Sequence, residues 1–178
     1  CMNPGMVLCQ TILGLLPPGV AIPYMVADML GAFAGALVVY VMYADQFKAS
    51  EDNVDPVAIR NIFSTNPICR DLIRNWFVEC LDTTIFLTGI LMIVKSYEQQ
   101  VPIGVGLLVW AVGMGLGGVT GFAMNQARDL GPRMAYQLLP IKNKTDNNWQ
   151  YGLLVPGTAP FVGAILSALF LRYFLGAF

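Results

Sequence analysis

The sequence predicts an all-α membrane protein, and two observations carry that prediction. First, 56% of the 178 residues are hydrophobic and only 12% are charged, whereas a soluble domain usually carries about 25% charged residues. Second, the apolar residues form stretches long enough to cross a bilayer, because about 20 apolar residues span its hydrocarbon core. We therefore expect a single transmembrane domain over residues 1–178.

Four apolar stretches have the length of a membrane span. They run from about Ala21 to Tyr43, Trp76 to Val94, Val101 to Met124, and Tyr151 to Phe174. The polar segments that separate them are predicted to be connections outside the bilayer. They are a long charged loop from Asp45 to Arg74, a short turn from Lys95 to Gln100, and a loop from Ile141 to Gln150.

Two further apolar stretches are too short to cross. One runs from Asn3 to Leu16 and stops at Pro17-Pro18-Gly19, and the other runs from Ala127 to Leu139 and stops at Pro140. At about 1.5 Å rise per residue, each covers little more than half of the hydrocarbon. Short apolar helices bounded by proline and glycine are typical of re-entrant segments, whose non-helical ends must be buried in protein or line a wet cavity.

Composition also argues against several classes of function. The net charge of -1 gives no electrostatic reason to expect nucleic acid as a partner. There is no histidine and no Cys-x-x-Cys pair, so we expect no zinc or haem site and no cofactor. The cysteines Cys1, Cys9, Cys69 and Cys80 are interpreted as small buried hydrophobic residues, with a Cys1–Cys69 disulfide left open as an alternative.

Each short segment begins at an asparagine, Asn3 in the first and Asn125 in the second. At a helix N-cap, the side-chain oxygen of asparagine binds the orphan N–H groups of the first turn, and its NH2 group is then free to donate into a cavity. A helix N-terminus also carries about half a positive charge. Two such ends that meet near mid-membrane would present donors to a file of small neutral molecules and repel cations.

Charged residues follow the second asparagine. Arg128 lies close to the start of the short helix, and charges at membrane depth usually face a wet interior. Its planar fork of donors suits a solute with adjacent hydroxyls. The alternative is an ion pair with Asp129 or a bond to a carbonyl. For Arg133, which lies further along the helix, we favour the structural ion pair.

Carboxylates also occur inside the predicted spans, at Glu79 and Asp82 in the second and Asp28 in the first. We interpret them as buried structural acceptors, and Glu79 could hold the backbone of a re-entrant loop. A membrane enzyme that used Glu79 and Asp82 is the alternative. It would need a nucleophile or a metal nearby, and the sequence suggests neither.

The segment from Met124 to Arg133 resembles the second Asn-Pro-Ala motif of the aquaporin superfamily with its following Arg-Asp, and Asn3-Pro4-Gly5 resembles the first. Within that superfamily the chain is similar to the bacterial glycerol facilitators over nearly its whole length. The resemblance implies an inverted-repeat bundle of six spans and two half-helices. The last four spans and both half-helices are present here, so the chain is expected to be N-terminally incomplete.

The resemblance also implies a function: a passive channel for glycerol and other small neutral polyols, with water, that forms a homotetramer in the plasma membrane. The solute would meet a narrow filter, in which the aromatic packs against its carbon backbone, the arginine binds its hydroxyls and the glycine leaves room for it. The residues implied are a pore motif (Asn3, Pro4, Gly5, Asn125, Gln126, Ala127), a filter (Gly113, Phe122, Arg128), a ladder of carbonyls (Gly121, Phe122, Ala123) and a glycerol-type marker (Asp129).

Three departures from the family pattern bear on this function. Gln126 stands where the family usually has proline, Gly5 stands where it usually has alanine, and no histidine precedes Asn3. Proline is favoured at the first helical position because its φ is already set. We therefore expect Gln126 to loosen the junction of the two motifs or to narrow the pore. The alternatives to a glycerol channel are a non-conducting remnant and a water-selective channel.

Overall fold

The computed structural model describes residues 2–96 and 100–178, and every regular element in those ranges is helical. The helices are α1 (Pro4–Ile12), α2 (Pro18–Met42), α3 (Ala44–Ala49), α4 (Pro56–Phe63), α5 (Leu72–Ser96), α6 (Val101–Leu116), α7 (Gln126–Leu138), α8 (Trp149–Leu154) and α9 (Ala159–Leu169), and one π-helical turn (Phe170–Phe174) continues α9. The Cys1–Cys69 disulfide that was left open as an alternative involves Cys1, which lies outside the described residues, as does the middle of the predicted turn from Lys95 to Gln100.

The two short segments form the half-helices α1 and α7. At about 1.5 Å rise per residue, the 9 residues of α1 and the 13 of α7 are too short to cross a bilayer. The first ends at Ile12, earlier than the predicted Leu16, because Gly14 adopts a φ of 77° that a right-handed helix cannot contain.

Three helical segments in the described part are long and apolar enough to cross a membrane: Pro18–Met42, Leu72–Ser96 and Trp149–Phe174. The third predicted span needs a correction, because its helix α6 ends at Leu116 and not near Met124. The chain remains apolar beyond that point, but Gly121, Phe122 and Met124 all have positive φ, which is incompatible with a helix. In this segment, residues 117–125, the chain runs non-helically up to the start of α7.

The long charged loop contains the short helices α3 and α4. Asp55 caps α4 by accepting a hydrogen bond from the backbone N–H of Val57, and Pro56 occupies the first helical position. This pair of residues is a strong start signal for a helix. Beyond α4 the loop turns back, so that Ser64 and Thr65 are buried.

Each half-helix packs into its own hydrophobic cluster. The first, α1, packs against α9, and its Met6, Cys9 and Leu13 share a cluster with residues of α5 and α9. The second, α7, packs against α2, and its cluster also draws on α3 and α4. The approach of α7 to α2 is close, because a Cβ on Gly131 would lie 2.7 Å from the Cβ of Ala32. Small residues allow such contact between membrane helices.

The cysteines do not share one environment. Cys9 and Cys80 are buried, in agreement with their interpretation as small hydrophobic residues, whereas Cys69 is exposed and that interpretation is wrong for it. The reason is position: Cys69 lies in the loop between α4 and α5, where Ile68 and Arg70 are exposed as well.

Candidate functional site

The starts of α1 and α7 meet, and their asparagines bind each other's chain in a reciprocal pattern. The Nδ2 of Asn3 donates to the carbonyl of Met124 at 2.9 Å, and the Nδ2 of Asn125 donates to the carbonyl of Met2 at 2.7 Å. Each asparagine therefore bonds to the residue that precedes the other one. We call this set of contacts the junction.

Each asparagine also caps its own half-helix. The Oδ1 of Asn3 accepts from the backbone N–H of Gly5 at 2.9 Å, and the Oδ1 of Asn125 accepts from those of Ala127 at 2.9 Å and Arg128 at 3.2 Å. The expectation that the whole NH2 group stays available is corrected for Asn125, since one of its two hydrogens binds Met2. An amide carries two such hydrogens, so one remains to donate to a solute.

Gln126 does not loosen the junction. Its side chain is 2% exposed, and its Oε1 accepts a hydrogen bond from the backbone N–H of Gly5 at 3.1 Å. The expected loosening is thus corrected: the side chain crosses from α7 to α1 and adds a bond between the two half-helices. It can do so because the first position of α7 lies opposite the first turn of α1. The expected narrowing of the pore stays a prediction.

Glu79 on α5 holds the non-helical segment before α7. This carboxylate is fully buried, and its two oxygens accept from the backbone N–H groups of Ala123 at 3.1 Å and Met124 at 2.8 Å. These bonds satisfy backbone donors that no helix could satisfy. They also hold Phe122 and Met124 in their left-handed conformations, with φ of 66° and 48°.

The ring of Phe122 occupies the space beside two glycines of α6 and its end. A Cβ on Gly113 would lie 3.3 Å from the Cζ of Phe122, and one on Gly117 would lie 2.9 Å from its Cβ. The absence of a side chain at Gly113 therefore makes room for the Phe122 ring, which is half-buried. The sequence had suggested only that it makes room for a solute.

The two arginines of α7 have different environments. Arg128 is exposed, and its guanidinium makes no hydrogen bond within residues 2–96 and 100–178. Arg133 is fully buried and forms an ion pair with Asp129, with Nε to Oδ1 at 2.8 Å and Nη2 to Oδ2 at 2.9 Å. The interpretation of Arg133 as a structural ion pair is confirmed, and the alternative pairing of Arg128 with Asp129 is not formed.

The ion pair is the centre of a larger network. The guanidinium of Arg133 also donates to the carbonyls of Asn147 at 2.5 Å and Thr65 at 2.9 Å, and Asp129 accepts from the backbone N–H of Thr65 at 2.8 Å. The network joins α7 to the loop that follows it and to the loop of Thr65, which is 68 positions from Arg133. Because all donors and acceptors of the pair are used, its charges are compensated in a low-dielectric interior.

Sequence reasoning missed three residues outside the half-helices that support the site. Thr65 binds Asp129, Tyr151 donates to the carbonyl of Thr120 at 2.8 Å, and the buried Arg60 donates to the carbonyl of Asp146 at 2.7 Å. Burial lowers the pKa of Arg60. The signal for Arg60 was the Asp55-Pro56 start of α4, which predicts a helix within the charged loop; for Thr65 we find no signal in the sequence.

The other two carboxylates of the predicted spans differ. Asp28 is half-buried and not buried as expected, and it accepts a hydrogen bond from the backbone of Asn3. Asp82 is 2% exposed but accepts no hydrogen bond in the described part of the chain, so its predicted acceptor role is wrong there. The backbone N–H groups near it on α5 are already used by the helix itself.

The arrangement supplies neutral donors at the junction, an exposed guanidinium on α7 and a half-buried aromatic ring in the segment before α7. Within the described residues no group of histidine, cysteine, aspartate and glutamate side chains is placed to hold a metal ion. Such a site can bind and pass a polar solute, because the N–H groups at the two facing helix starts can donate hydrogen bonds to the oxygens of that solute.

Comparison with known proteins shows which family this chain belongs to. The family described as Major intrinsic protein matches residues 1–171. The chain is 60% identical over 177 residues to "Glycerol uptake facilitator protein 4" of Lactiplantibacillus plantarum, covering 99% of this chain and 74% of that protein. It is 58% identical, over the same length and shares, to "D/L-lactic acid transporter" of the same organism.

A solved structure agrees with the sequence relatives. The X-ray structure of the aquaglyceroporin from Plasmodium falciparum matches with a TM-score of 0.81 and 26% identity, covering 98% of this chain and 72% of that one. The predicted fold class, an all-α, aquaporin-like bundle with two re-entrant half-helices, is confirmed by this match. The family consists of channels and facilitators, so the enzyme alternative built on Glu79 and Asp82 is set aside. With two half-helices capped reciprocally by Asn3 and Asn125, and a family match over residues 1–171, this chain belongs to the major intrinsic protein family of integral membrane channels.

Proposed function

We propose that this protein is a passive channel for glycerol and other small neutral polyols, with water. The observation that carries the proposal is the junction, in which Asn3 and Asn125 each cap a half-helix and bind across to the other chain segment. The names of its relatives support glycerol as the solute. The two helix starts that meet at the junction each carry about half a positive charge, which favours neutral oxygen-bearing solutes over cations.

The filter of this channel consists of Arg128, Phe122 and Gly113. The exposed guanidinium of Arg128 makes no internal hydrogen bond to a described residue, so its donors are available for the adjacent hydroxyls of a polyol. The ring of Phe122 offers an apolar surface to the carbon backbone, and Gly113 lets that ring lie against α6. The polar guanidinium of Arg128 and the apolar ring of Phe122 together match a polyol, which has both hydroxyls and a carbon backbone.

The ladder of acceptors consists of the carbonyls of Gly121, Phe122 and Ala123. The N–H groups of Ala123 and Met124 are turned toward Glu79, and the positive φ values in this segment break the helix that would otherwise consume the carbonyls. Those carbonyls then accept from the solute's hydroxyls as it moves. Asn3, Pro4, Gly5, Asn125, Gln126 and Ala127 form the pore motif, and Asp129, bound to Arg133, marks the glycerol type.

Proteoliposomes test this function directly. The protein, expressed from its natural reading frame, should make vesicles swell faster in an inward glycerol gradient than vesicles without protein. Replacement of Arg128 by methionine should lower the ratio of glycerol to water permeability by about tenfold, since one charge-assisted hydrogen bond is lost. Swelling no faster than in empty vesicles would contradict the channel, and fast water flux without glycerol flux would favour the water-selective alternative.

Lactic acid is a second candidate solute. The chain is 58% identical to a protein named as a D/L-lactic acid transporter, close to its 60% identity with a glycerol facilitator. Neutral lactic acid carries a hydroxyl beside a carboxyl group, and this pair of oxygens suits the fork of Arg128. Uptake of labelled lactic acid should then rise as the pH falls and the neutral form accumulates. Uptake that tracks only the leak of empty vesicles would exclude it.

We further propose that residues 1–178 form one channel domain, that the protein is multi-pass in the plasma membrane, and that it assembles as a homotetramer. The apolar helices Pro18–Met42, Leu72–Ser96 and Trp149–Phe174 support the membrane location. The mass of the protein–detergent complex, determined by light scattering with the detergent subtracted, tests the tetramer; the mass of a single chain would contradict it.

A further inference from the structure

We infer that Gln126 is a positioning residue that locks the two half-helices together, and that Gly5 is its matched partner. The inference rests on the proposed channel function for its transport readout, but its structural part stands on contacts alone. The junction already has two symmetrical bonds, from Asn3 to Met124 and from Asn125 to Met2. The bond from Gly5 to Gln126 is a third bond between the half-helices, and it has no symmetrical counterpart.

The asymmetry follows from the sequence. In the two motifs Pro4 corresponds to Gln126 and Gly5 corresponds to Ala127. A proline side chain offers no acceptor, so α1 cannot return the bond that Gln126 receives. The N–H of Gly5 is shared between the Oδ1 of Asn3 at 2.9 Å and the Oε1 of Gln126 at 3.1 Å, whereas that of Ala127 binds Asn125.

Space at Gly5 explains why the two positions act as a pair. A Cβ there would lie 3.2 Å from the Oδ1 of Asn3, 3.2 Å from the carbonyl oxygen of Pro160 and 3.6 Å from the Oε1 of Gln126. A methyl group would thus press against the oxygens of Asn3 and Pro160, while its distance from Gln126 is an ordinary contact. Relief of the two close contacts would move Gly5, and with it the N–H that Gln126 binds. Glycine keeps this small polar space open, and glutamine uses it.

The orientation of the Gln126 amide is fixed by this contact. Its oxygen must face Gly5, because the reversed amide would set two donors against each other. The Nε2 is buried and has no hydrogen-bond partner in the part of the chain that the structure describes. A buried orphan donor costs stability, so this side chain is a poor choice for stability alone. Its contribution is geometric: it fixes the spacing of the two asparagine donors.

Transport should depend on that spacing unequally for different solutes. Glycerol has to satisfy Arg128 and the asparagine donors together, so it needs them held in one geometry. Water needs only one or two partners at a time and tolerates looser spacing. Loss of the Gln126 bond should therefore lower glycerol permeability more than water permeability.

Gln126→Pro separates this role from a merely structural one. Proline suits the first position of a helix, and the orphan Nε2 disappears, so the melting temperature should stay equal or rise. The ratio of glycerol to water permeability should nevertheless fall by about threefold or more. An unchanged ratio in this variant would overturn the inference. The ratio is measured against a parent protein that conducts. A parent protein that does not conduct would contradict the proposed function and not this inference.

A double-mutant cycle tests the pair without reference to transport. Gly5→Ala, Gln126→Met and the double variant are compared by thermal melting in detergent, with Gln10→Met on α1 as a matched control. Contacting residues couple, so the double variant should be more stable than the sum of the two single shifts predicts. Additive shifts would overturn the pairing. Because this cycle needs no flux, its outcome decides the pairing even if glycerol proves not to be the solute.

Discussion

The two half-helices begin alike and are anchored differently. Both start at an asparagine that caps its own helix and binds the other segment. Beyond the first turn, α1 is held by apolar packing of Met6, Cys9 and Leu13. The other half-helix, α7, has an apolar cluster of its own and in addition the buried pair of Asp129 and Arg133. The two starts are therefore equivalent, and among the described residues the buried ion pair belongs to the half that carries the exposed Arg128.

The largest effect should come from breaking the charged anchor of α7. Arg133→Met leaves the carboxylate of Asp129 buried without its cation, and loss of one partner of a buried pair costs about 3–5 kcal/mol. We expect little folded protein, measured as the monodisperse peak after detergent extraction. Arg128→Met is the matched control and should extract normally, because Arg128 is exposed. Equal yields of the two variants would refute the anchor.

A smaller effect should follow from weakening the support of the segment before α7. Glu79→Gln keeps one acceptor but turns an NH2 group toward Ala123 or Met124, so one buried N–H loses its partner. The cost should be about 1–3 kcal/mol, with glycerol permeability reduced more than water permeability. Asp82→Asn on the same helix is the control and should melt like the parent. A Glu79→Gln protein with parental melting and permeability would show that the carboxylate is dispensable.

The anchor of α1 should respond less to a conservative change. Cys9→Ala removes one buried sulfur from the apolar cluster and should cost about 1 kcal/mol. Its effect on melting should be insensitive to salt, since no charge is involved. Cys69→Ala, at an exposed cysteine, is the control with no expected shift. If Cys9→Ala lost more stability than Glu79→Gln, the ranking of the two halves would be reversed.

The smallest effect should be found at the surface ion pair between Lys142 and Glu51. The two side chains are 2.9 Å apart, and the lysine side chain is 77% exposed. Its hydrogen bond to Glu51 raises the pKa of Lys142, so on the alkaline side the pair persists until the lysine deprotonates. Exposed pairs contribute little, and Lys142→Ala should leave the melting temperature unchanged. A clear drop would mean that the outer loops, as well as α7, depend on charge.

Sequence reasoning located the helices whose boundaries are set by composition and missed those set by backbone conformation. Hydropathy placed α2 and α5 well, because lipid demands a long apolar run there. It failed at the end of α6, since residues 117–124 carry no charge that would mark the end of a span, while Glu79 binds the backbone of Ala123 and Met124 in a non-helical form. Position along α7 correctly separated Arg133 from Arg128, and the structure adds that Arg133 is one helical turn from Asp129.

The contacts that define the site lay beyond sequence reasoning for a different reason. Gly5 and Gln126 are separated by 121 positions, and nothing local to either residue indicates the other. The same holds for Thr65 and Asp129, which are 64 positions apart. The resemblance named Gln126 as a departure, but only three-dimensional placement showed that it strengthens the junction.

The guanidinium of Arg133 also sets an order of events during biosynthesis. Its partners include Thr65, which leaves the ribosome well before Arg133, and Asn147, which leaves it 14 residues after Arg133. Until Asn147 has been made, Arg133 and Asp129 lack part of their hydrogen-bond partners, and their charges are costly to place at membrane depth. We therefore expect α7 to wait in a wet or protein-lined site and to settle late, after the helices around it are already in the bilayer.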